Sequence, residues 1–475
     1  MRYFLGLQCL ALLCVAASAF AEPVKHPGDI DFPPLELEFP SISEHRTTHG
    51  MRIYLKEDDE LPLVNISVMV RGGSIQDPLD KAGLSELFAQ TLETGGAGEL
   101  SPQVLEEELD RMAAQLTVTS STYSYQVDLS IHQRDLQRGL EILTGLLRQP
   151  AFDGARFELA RQRLLQAIHR RNDNPADIAG RYLAAAVNPG HPLAAEPTEA
   201  GINSITIADL EALHERFFRP ARLWWAVSGD IDEQSLLEQI ERLFGDWQAD
   251  AVALAELPPL PAATTGRAYL VDKKLPQTTI LLGHRGISKD NPDMLAVRVA
   301  NHILGGGGFN SRLMREIRSN RGLAYSIYSQ LQPGRHLPEL FFISGETKNE
   351  TAVEVVELAL QIIREMIDQP VSAAELDLAR NSLVNSFIFA FEHTHAVVTQ
   401  KVRLDFYDYP ADYLQSYQSR LKALTVADIQ RVARTYFDPA ALQVVLVGDS
   451  TIYATALAER GYDVEMIDLD QEPNR

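Results

Sequence analysis

One predicted helix carries two polar side chains whose spacing permits metal binding. In "GLSELFAQTLETGG" (83–96), Glu86 and Gln90 are four residues apart and therefore share a helix face. A carboxylate and an amide can hold a hard cation loosely, but a neutral amide is a poor ligand for zinc. The alternative is the polar face of a structural helix, whose buried side is formed by Leu84, Leu87, Phe88 and Leu92.

The histidines add little to a metal site. His393 and His395, in "EHTH", are two residues apart, and such residues point to different sides of a helix, which the surrounding sequence predicts. His132 and His169 stand alone, and we interpret them as surface or internally bonded histidines. Neither H-x-x-E-H nor H-E-x-x-H occurs in the chain. We therefore expect no metal or cofactor bound by this chain.

The N-terminal residues 1–21 are typical of a cleavable signal peptide. They contain Arg2, an apolar run and a terminal Ala-Phe-Ala, and a retained anchor is the alternative. Both cysteines, Cys9 and Cys14, lie within this segment, so the mature chain has no thiol for a disulfide, a zinc site or a nucleophile. An exported protein without disulfides is expected in a bacterial periplasm. No later stretch is long and apolar enough to predict a membrane span.

The charge balance excludes some classes of partner. The chain has 475 residues, with 43 basic and 65 acidic side chains and a net charge of −22. Such a charge opposes binding to nucleic acid and to anionic membranes. An acidic soluble surface explains it, and a weak preference for basic peptides is the alternative. The length predicts two or more domains.

The chain contains an internal repeat. "ITIADLEALHERFFRPARLWWAVSGD" (205–230) matches "LTVADIQRVARTYFDPAALQVVLVGD" (424–449), with identities at a constant offset of 219. In each copy a threonine, Thr206 or Thr425, stands where a helix N-cap or first-turn residue belongs. A proline then ends the helix, and a buried strand follows it.

The repeat predicts two homologous tandem α+β domains, each with a largely antiparallel sheet and helices packed on one face. We place the N-terminal domain at 22–248 and the C-terminal domain at 267–475. The segment 249–266 is rich in alanine and proline and is predicted to be a linker.

Two segments carry a resemblance to a known family. "VRGGSIQDPLDKAGLSELFAQTLETGG" (70–96) and "LGGGGFNSRLMREIRSNRGLAYSIYS" (304–329) resemble the pitrilysin/insulinase family of zinc metallopeptidases. The two tandem halves agree with it, and the likeness covers nearly the whole mature chain. The resemblance implies the fold of the mitochondrial processing peptidases, with the two domains forming half of a clamshell around unfolded peptides.

The family's zinc motif, H-x-x-E-H, is missing. Aligned on the flanking glycines, the two histidines are replaced by Glu86 and Gln90, and the catalytic glutamate is replaced by Ala89. Gln166 or Ala167 stands where the third ligand, a glutamate, is expected. The resemblance therefore implies a chain that is inactive as a peptidase on its own.

A second functional element of the family is retained. The resemblance assigns Arg318 to a substrate carbonyl and Tyr325 to the oxyanion formed in peptide hydrolysis. The glycine run is expected to let backbone approach a substrate strand; its members are Gly305, Gly306, Gly307 and Gly308.

Some members of the family divide these parts between two chains. We therefore expect a non-catalytic subunit of a periplasmic heterodimeric zinc endopeptidase, whose partner holds the zinc. A non-proteolytic peptide-binding or scaffold protein is the alternative, and an atypical metal site around Glu86 is a third hypothesis.

Overall fold

The computed structural model describes residues 40–248 and 255–469, and these contain two six-stranded sheets. The predicted signal peptide lies outside the described residues, as does part of the predicted linker, and 255–266 contain neither helix nor strand. The strands are β1 (Ser43–Arg46), β2 (Arg52–Glu57), β3 (Leu63–Arg71), β4 (Gln115–Ser120), β5 (Ser124–His132), β6 (Leu223–Gly229), β7 (Ala268–Asp272), β8 (Gln277–Arg285), β9 (Ala324–Leu331), β10 (Leu340–Lys348), β11 (Gln443–Gly448) and β12 (Val464–Ile467).

The two sheets share one topology. The order is β1-β2-β6-β3-β5-β4 in the N-terminal sheet and β12-β7-β11-β8-β10-β9 in the C-terminal sheet. In both, the long strand β3 or β8 pairs antiparallel with β5 or β10, as in the pair Ile66↔Leu129, while the returning strand β6 or β11 runs parallel to β2 or β7. The sheets differ at one edge, because β1 is antiparallel to β2 whereas β12 is parallel to β7. The internal repeat and the α+β class are thereby confirmed.

Fifteen α-helices connect the strands of the described residues. They are α1 (Leu84–Thr94), α2 (Pro102–Met112), α3 (Leu136–Arg148), α4 (Gly154–Arg170), α5 (Pro175–Val187), α6 (Glu199–Ser204), α7 (Ile207–Phe217), α8 (Glu233–Phe244), α9 (Met294–Asn301), α10 (Ala352–Asp368), α11 (Ala373–Ser386), α12 (Thr394–Phe406), α13 (Tyr413–Ala423), α14 (Val426–Tyr436) and α15 (Ser450–Glu459).

The repeated threonines begin equivalent helices. Thr206 caps α7 and Thr425 caps α14, each in a capping box with the aspartate three residues later, Asp209 or Asp428. Each cap satisfies a backbone N–H that the first helical turn leaves without a partner, and it stabilises the fold by about 1 kcal/mol. The predicted caps are confirmed.

Each half covers the second face of the other half's sheet. Helix α12, through Val398, Val402 and Phe406, packs on Trp224 and Ala226 of β6. Helix α5 packs in turn on β8 and β11, with contacts among Ile178, Ala179, Leu183, Val187, Leu281, Val445 and Val447. The remaining helices lie on the opposite faces, around the two large cores. The sequence predicted helices on one face of each sheet and did not predict this exchange.

Candidate functional site

The zinc-motif positions lie on α1 and hold no metal-binding arrangement. Glu86 is exposed, Ala89 is buried in the core, and the Gln90 side-chain amide donates to Glu86 Oε1 at 3.1 Å. Gln166 and Ala167 lie exposed on α4. Within 40–248 and 255–469, no group of three His, Cys, Asp or Glu side chains is placed to hold a metal. The donor set on α1 is therefore one carboxylate and one amide that bond to each other.

Helix α1 is held at its start by a partly buried carboxylate. Asp77 accepts hydrogen bonds from the backbone N–H of Ser85 at 3.0 Å and from its Oγ at 2.6 Å. Ser85 Oγ also contacts the hydroxyl of the buried Tyr125 at 2.7 Å. Burial raises the pKa of Asp77 to about 6, although the Ser85 hydrogen bonds favour its charged form. This network, which sequence reasoning missed, fixes the orientation of the degenerate helix.

Arg318 and Tyr325 are brought together at one edge of the C-terminal sheet. Tyr325 is the second residue of edge strand β9, and 83% of it is exposed to solvent. The Arg318 guanidinium carbon lies 4.6 Å from the centroid of the Tyr325 ring and 4.6 Å from that of Phe309. The nearby carboxylate of Glu316 forms an ion pair with Arg321. Arg318 has no carboxylate partner in the described part of the chain. Both polar groups are therefore available to a ligand.

Local backbone irregularities position the pair. Arg318 lies in a π-helical segment, Met314–Asn320, which ends in a turn through Gly322 at φ +65°. The pairing of β9 with β10 shifts register so that Tyr325 and Ser326 face one residue, Glu346. A bulge of this kind redirects side chains at a sheet edge, and π-helical turns and bulges are common at functional sites.

Phe309 is the functional candidate that the sequence analysis missed. It follows the glycine run, 65% of it is exposed, and its ring centroid lies as close to the Arg318 guanidinium as that of Tyr325 does. A guanidinium that contacts two aromatic rings gains cation–π attraction and loses side-chain freedom. The signal that could have revealed Phe309 is a large apolar residue directly after four glycines in a loop.

The four glycines do not share one role. Gly305 is buried, and a Cβ atom there would lie 2.4 Å from the backbone nitrogen of Ser329. It therefore allows close packing on strand β9 of this chain. Gly307 packs in the same way on the His302 carbonyl oxygen, at 2.7 Å. Gly306 and Gly308 are exposed, and Gly308 has φ +57°.

The surrounding sequence predicted one helix through the "EHTH" histidines, but the two residues do not share a helix. The stretch is broken, since α11 ends at Ser386, and His393 is the exposed N-cap residue of α12. His395 contacts the buried Ser67 through Nε2 (3.0 Å) and the buried Ser228 through Nδ1 (2.9 Å). Burial lowers the His395 pKa, so the ring is neutral at pH 7. Through these two serines it joins the two halves.

The other two histidines considered in the sequence, His132 and His169, have ordinary hydrogen-bonding partners. His132 accepts a hydrogen bond from the backbone of Arg134, and the exposed His169 pairs with Glu199 at 2.8 Å. Neither contact involves Arg318 or Tyr325. Among the described residues, no helix is long and apolar enough to cross a bilayer.

Both halves of the chain match known models of one protein family. Residues 52–199 match the family model "Insulinase (Peptidase family M16)", and residues 204–383 match "Peptidase M16 inactive domain". The fold resembles the crystal structure of a peptidase M16 inactive domain from Pseudomonas fluorescens, with a TM-score of 0.77, 23% identity, and coverage of 86% of this chain and 98% of that one. A protease from Helicobacter pylori gives a TM-score of 0.76 at 18% identity, covering 86% and 100% of the two chains.

Relatives with similar sequences carry two kinds of name. The chain is 26% identical over 384 residues to the "Non-peptidase homolog YmxG" of Helicobacter pylori, covering 79% of this chain and 87% of that protein. It is 23% identical over 405 residues to the "Uncharacterized zinc protease YmxG" of Bacillus subtilis, covering 83% and 96%. The chain belongs to the peptidase M16, or insulinase, family, as a member without the zinc-binding motif.

Proposed function

We propose that this protein is the non-catalytic, substrate-binding subunit of a heterodimeric zinc endopeptidase that degrades unfolded peptides. One observation carries the proposal. The exposed Tyr325 and the half-buried Arg318 lie together, with no carboxylate partner for Arg318 among the described residues, while the zinc positions hold Glu86, Ala89 and Gln90. The chain has kept the groups that act on a substrate and has lost the groups that hold a metal.

The Arg318–Tyr325 pair suits the electrostatics of peptide hydrolysis. Negative charge develops on the carbonyl oxygen in the transition state, and the Tyr325 phenol can donate a hydrogen bond to it. The Arg318 guanidinium can donate to a neighbouring substrate carbonyl, since its fork presents several directed N–H groups. Its contacts with the Phe309 and Tyr325 rings hold it in place before the substrate arrives. The partner's zinc would supply the activated water.

The names of the relatives support a division of labour. A Helicobacter pylori relative is named a non-peptidase homolog, and others are named zinc proteases. A partner that bears H-x-x-E-H is therefore expected within the same family. The predicted signal peptide and the absence of cysteine after residue 14 support assembly in the periplasm.

The test is reconstitution with a family member that carries H-x-x-E-H and is encoded in the same organism. The two chains are co-expressed, the complex is isolated, and hydrolysis of an unfolded peptide is measured. Tyr325→Phe is expected to lower kcat by tenfold or more, on the scale of a lost oxyanion donor. The control is Tyr462→Phe, which removes a phenol near β12. An intact complex with equal rates for both variants would refute the role of Tyr325.

A second candidate is a non-proteolytic peptide-binding or scaffold protein of the same fold. The exposed rings of Tyr325 and Tyr328 on edge strand β9, with Phe309 beside them, favour it, because aromatic side chains on an edge strand bind peptides without any chemistry. Recovery of the chain alone from its own cell compartment, under conditions that preserve complexes, would support this candidate over the heterodimer.

A further inference from the structure

A cavity of about 660 Å³ opens beside the glycine run, between the C-terminal sheet and helix α12. Gly306 and Gly308 line it on one side, and residues of the β9 end and of α12 and α13 line the others. Its volume is in the range of sites that bury a few residues of a peptide. The sequence analysis did not identify it.

The charge of this cavity is opposite to that of the chain. Its lining contains two arginines, Arg298 and Arg335, and one carboxylate, Glu339. Arg335 Nη1 donates to the Tyr409 hydroxyl at 2.8 Å, and the Arg298 guanidinium lies over the Tyr417 ring at 5.8 Å. Neither arginine lies within ion-pair distance of a carboxylate in the described ranges, although Glu339 attracts Arg335 over a longer distance. In a protein of net charge −22, this local excess of positive charge indicates a site for an anionic group.

A neighbouring cavity shows the contrasting arrangement. It measures about 790 Å³ and lies on the other side of the same glycine run. Its Arg312 forms two hydrogen bonds with Glu375, at 2.8 and 3.0 Å, so that guanidinium is already neutralised. Of these two cavities in the described part of the chain, the smaller one offers the guanidinium groups without carboxylate partners.

We propose that the smaller cavity binds a carboxylate of the peptide substrate, through Arg298 and Arg335. The carboxylate belongs either to the peptide's C-terminus or to an aspartate or glutamate side chain. Tyr328 and Tyr413 add aromatic surface, and burial raises the Tyr413 pKa to about 12, so its phenol remains a hydrogen-bond donor.

The position of the cavity relates it to the proposed reaction. Tyr328 lies three residues after Tyr325 on β9, which corresponds to roughly 10 Å along a strand. A peptide that reaches from Tyr325 into the cavity therefore spans at least about three residues. This inference rests on the proposed function for the identity of the ligand as a peptide.

The test measures peptide binding to the isolated chain by calorimetry. The probes are a ten-residue N-acetylated peptide of alanine, serine and leucine with a free C-terminal carboxylate, its C-terminal amide, and the amide with one central glutamate. The free carboxylate is expected to bind about tenfold more tightly than the amide, as for a charge-assisted hydrogen bond. Equal rescue by the central glutamate would assign the site to side chains as well, and no rescue would restrict it to C-termini.

The double variant R298Q/R335Q is expected to bind all three probes equally, at the affinity of the amide. The matched control is Arg242→Gln on α8, an exposed arginine of the other half, which should preserve the tenfold ratio. Wild-type protein that binds carboxylate and amide equally, or a ratio that persists in the double variant, would overturn the inference. The binding experiment uses the isolated chain, so its result does not depend on whether the heterodimer forms. If the carboxylate preference is not found, the Tyr325→Phe turnover experiment still tests the proposed function.

Discussion

Replacing Asp77 with asparagine is expected to remove a pH-dependent weakness at the start of α1. The Asp77 carboxyl has a pKa of about 6 in the folded protein against an ordinary value of 3.8 for an aspartate, because burial disfavours its charge. A raised acid pKa means that the folded protein binds the proton more tightly than the unfolded chain does. Its contribution to stability is therefore complete below pH 3.8 and is lost as the pH rises towards 6.

The size of the effect follows from the shift. About two pKa units at about 1.36 kcal/mol each give a cost of about 3 kcal/mol above pH 6. The Asp77→Asn variant carries no ionisable group and avoids this cost, but it loses part of the hydrogen bonding to Ser85. The free energy of unfolding of the variant relative to wild type should therefore rise by 2 to 3 kcal/mol, roughly, between pH 4 and pH 7.

Urea unfolding at several pH values, followed by tryptophan fluorescence and circular dichroism, measures this difference. Ser85→Ala supplies a second check, because removing the Ser85 Oγ donor deprives the charged carboxylate of a hydrogen bond. It should move the pH dependence to higher pH. A difference between Asp77→Asn and wild type that stays constant from pH 4 to pH 7 would refute the argument that burial controls this carboxyl.

Three further substitutions test the packing around the site. Gly305→Ala should destabilise the fold by about 1 to 3 kcal/mol in chemical unfolding, because the added Cβ would meet the backbone of β9. Its control is Gly180→Ala on α5, where an added Cβ would meet no neighbouring atom, so this variant should be neutral or stabilising. His395→Ala should cost about 1 to 3 kcal/mol, since it leaves the buried Ser228 hydroxyl without a partner while Ser67 keeps Asp128, and the exposed His393→Ala should change little. Thr425→Ala should lose about 1 kcal/mol, and thermal denaturation that shows no loss would contradict the cap.

Local signals carried the successful sequence predictions. A threonine followed three residues later by an aspartate begins α7 and α14, and the apolar runs that follow form β6 and β11. These signals depend on neighbouring residues, so one sequence window contains them. Their repetition at a constant offset was enough to predict two homologous halves.

Contacts between distant segments explain the failures. Ser67 alternates with Asn65 and Arg71 on one side of β3, as a strand residue that faces solvent does, yet it is buried under α12 from the other half. The stretch that precedes α12 has helical composition, but α11 ends at Ser386 so that the chain can cross to the N-terminal sheet. No local pattern reports a partner that lies more than a hundred residues away.

The sequence pointed to Arg318 and Tyr325 as candidate residues but not to Phe309 or to the geometry that brings the three together. The replacement of the two zinc-binding histidines by Glu86 and Gln90 is evident from the amino-acid sequence alone. The contact of Arg318 with Phe309 depends on a π-helical segment and a bulge, whose register the sequence does not specify. Gly305 was expected to face a substrate, but it packs on β9 because a glycine's freedom serves internal contacts equally well.

The exchange of α5 and α12 has a consequence for how the chain folds. The N-terminal sheet lacks one of its covering layers until residues 394–406 arrive, and α5 has no sheet to pack on until β8 and β11 have formed. Neither half can therefore complete its packing as an independent unit, because each needs a helix from the other. A fragment ending at the linker would expose Trp224 and its apolar neighbours, and it would become native only when supplied with the missing half.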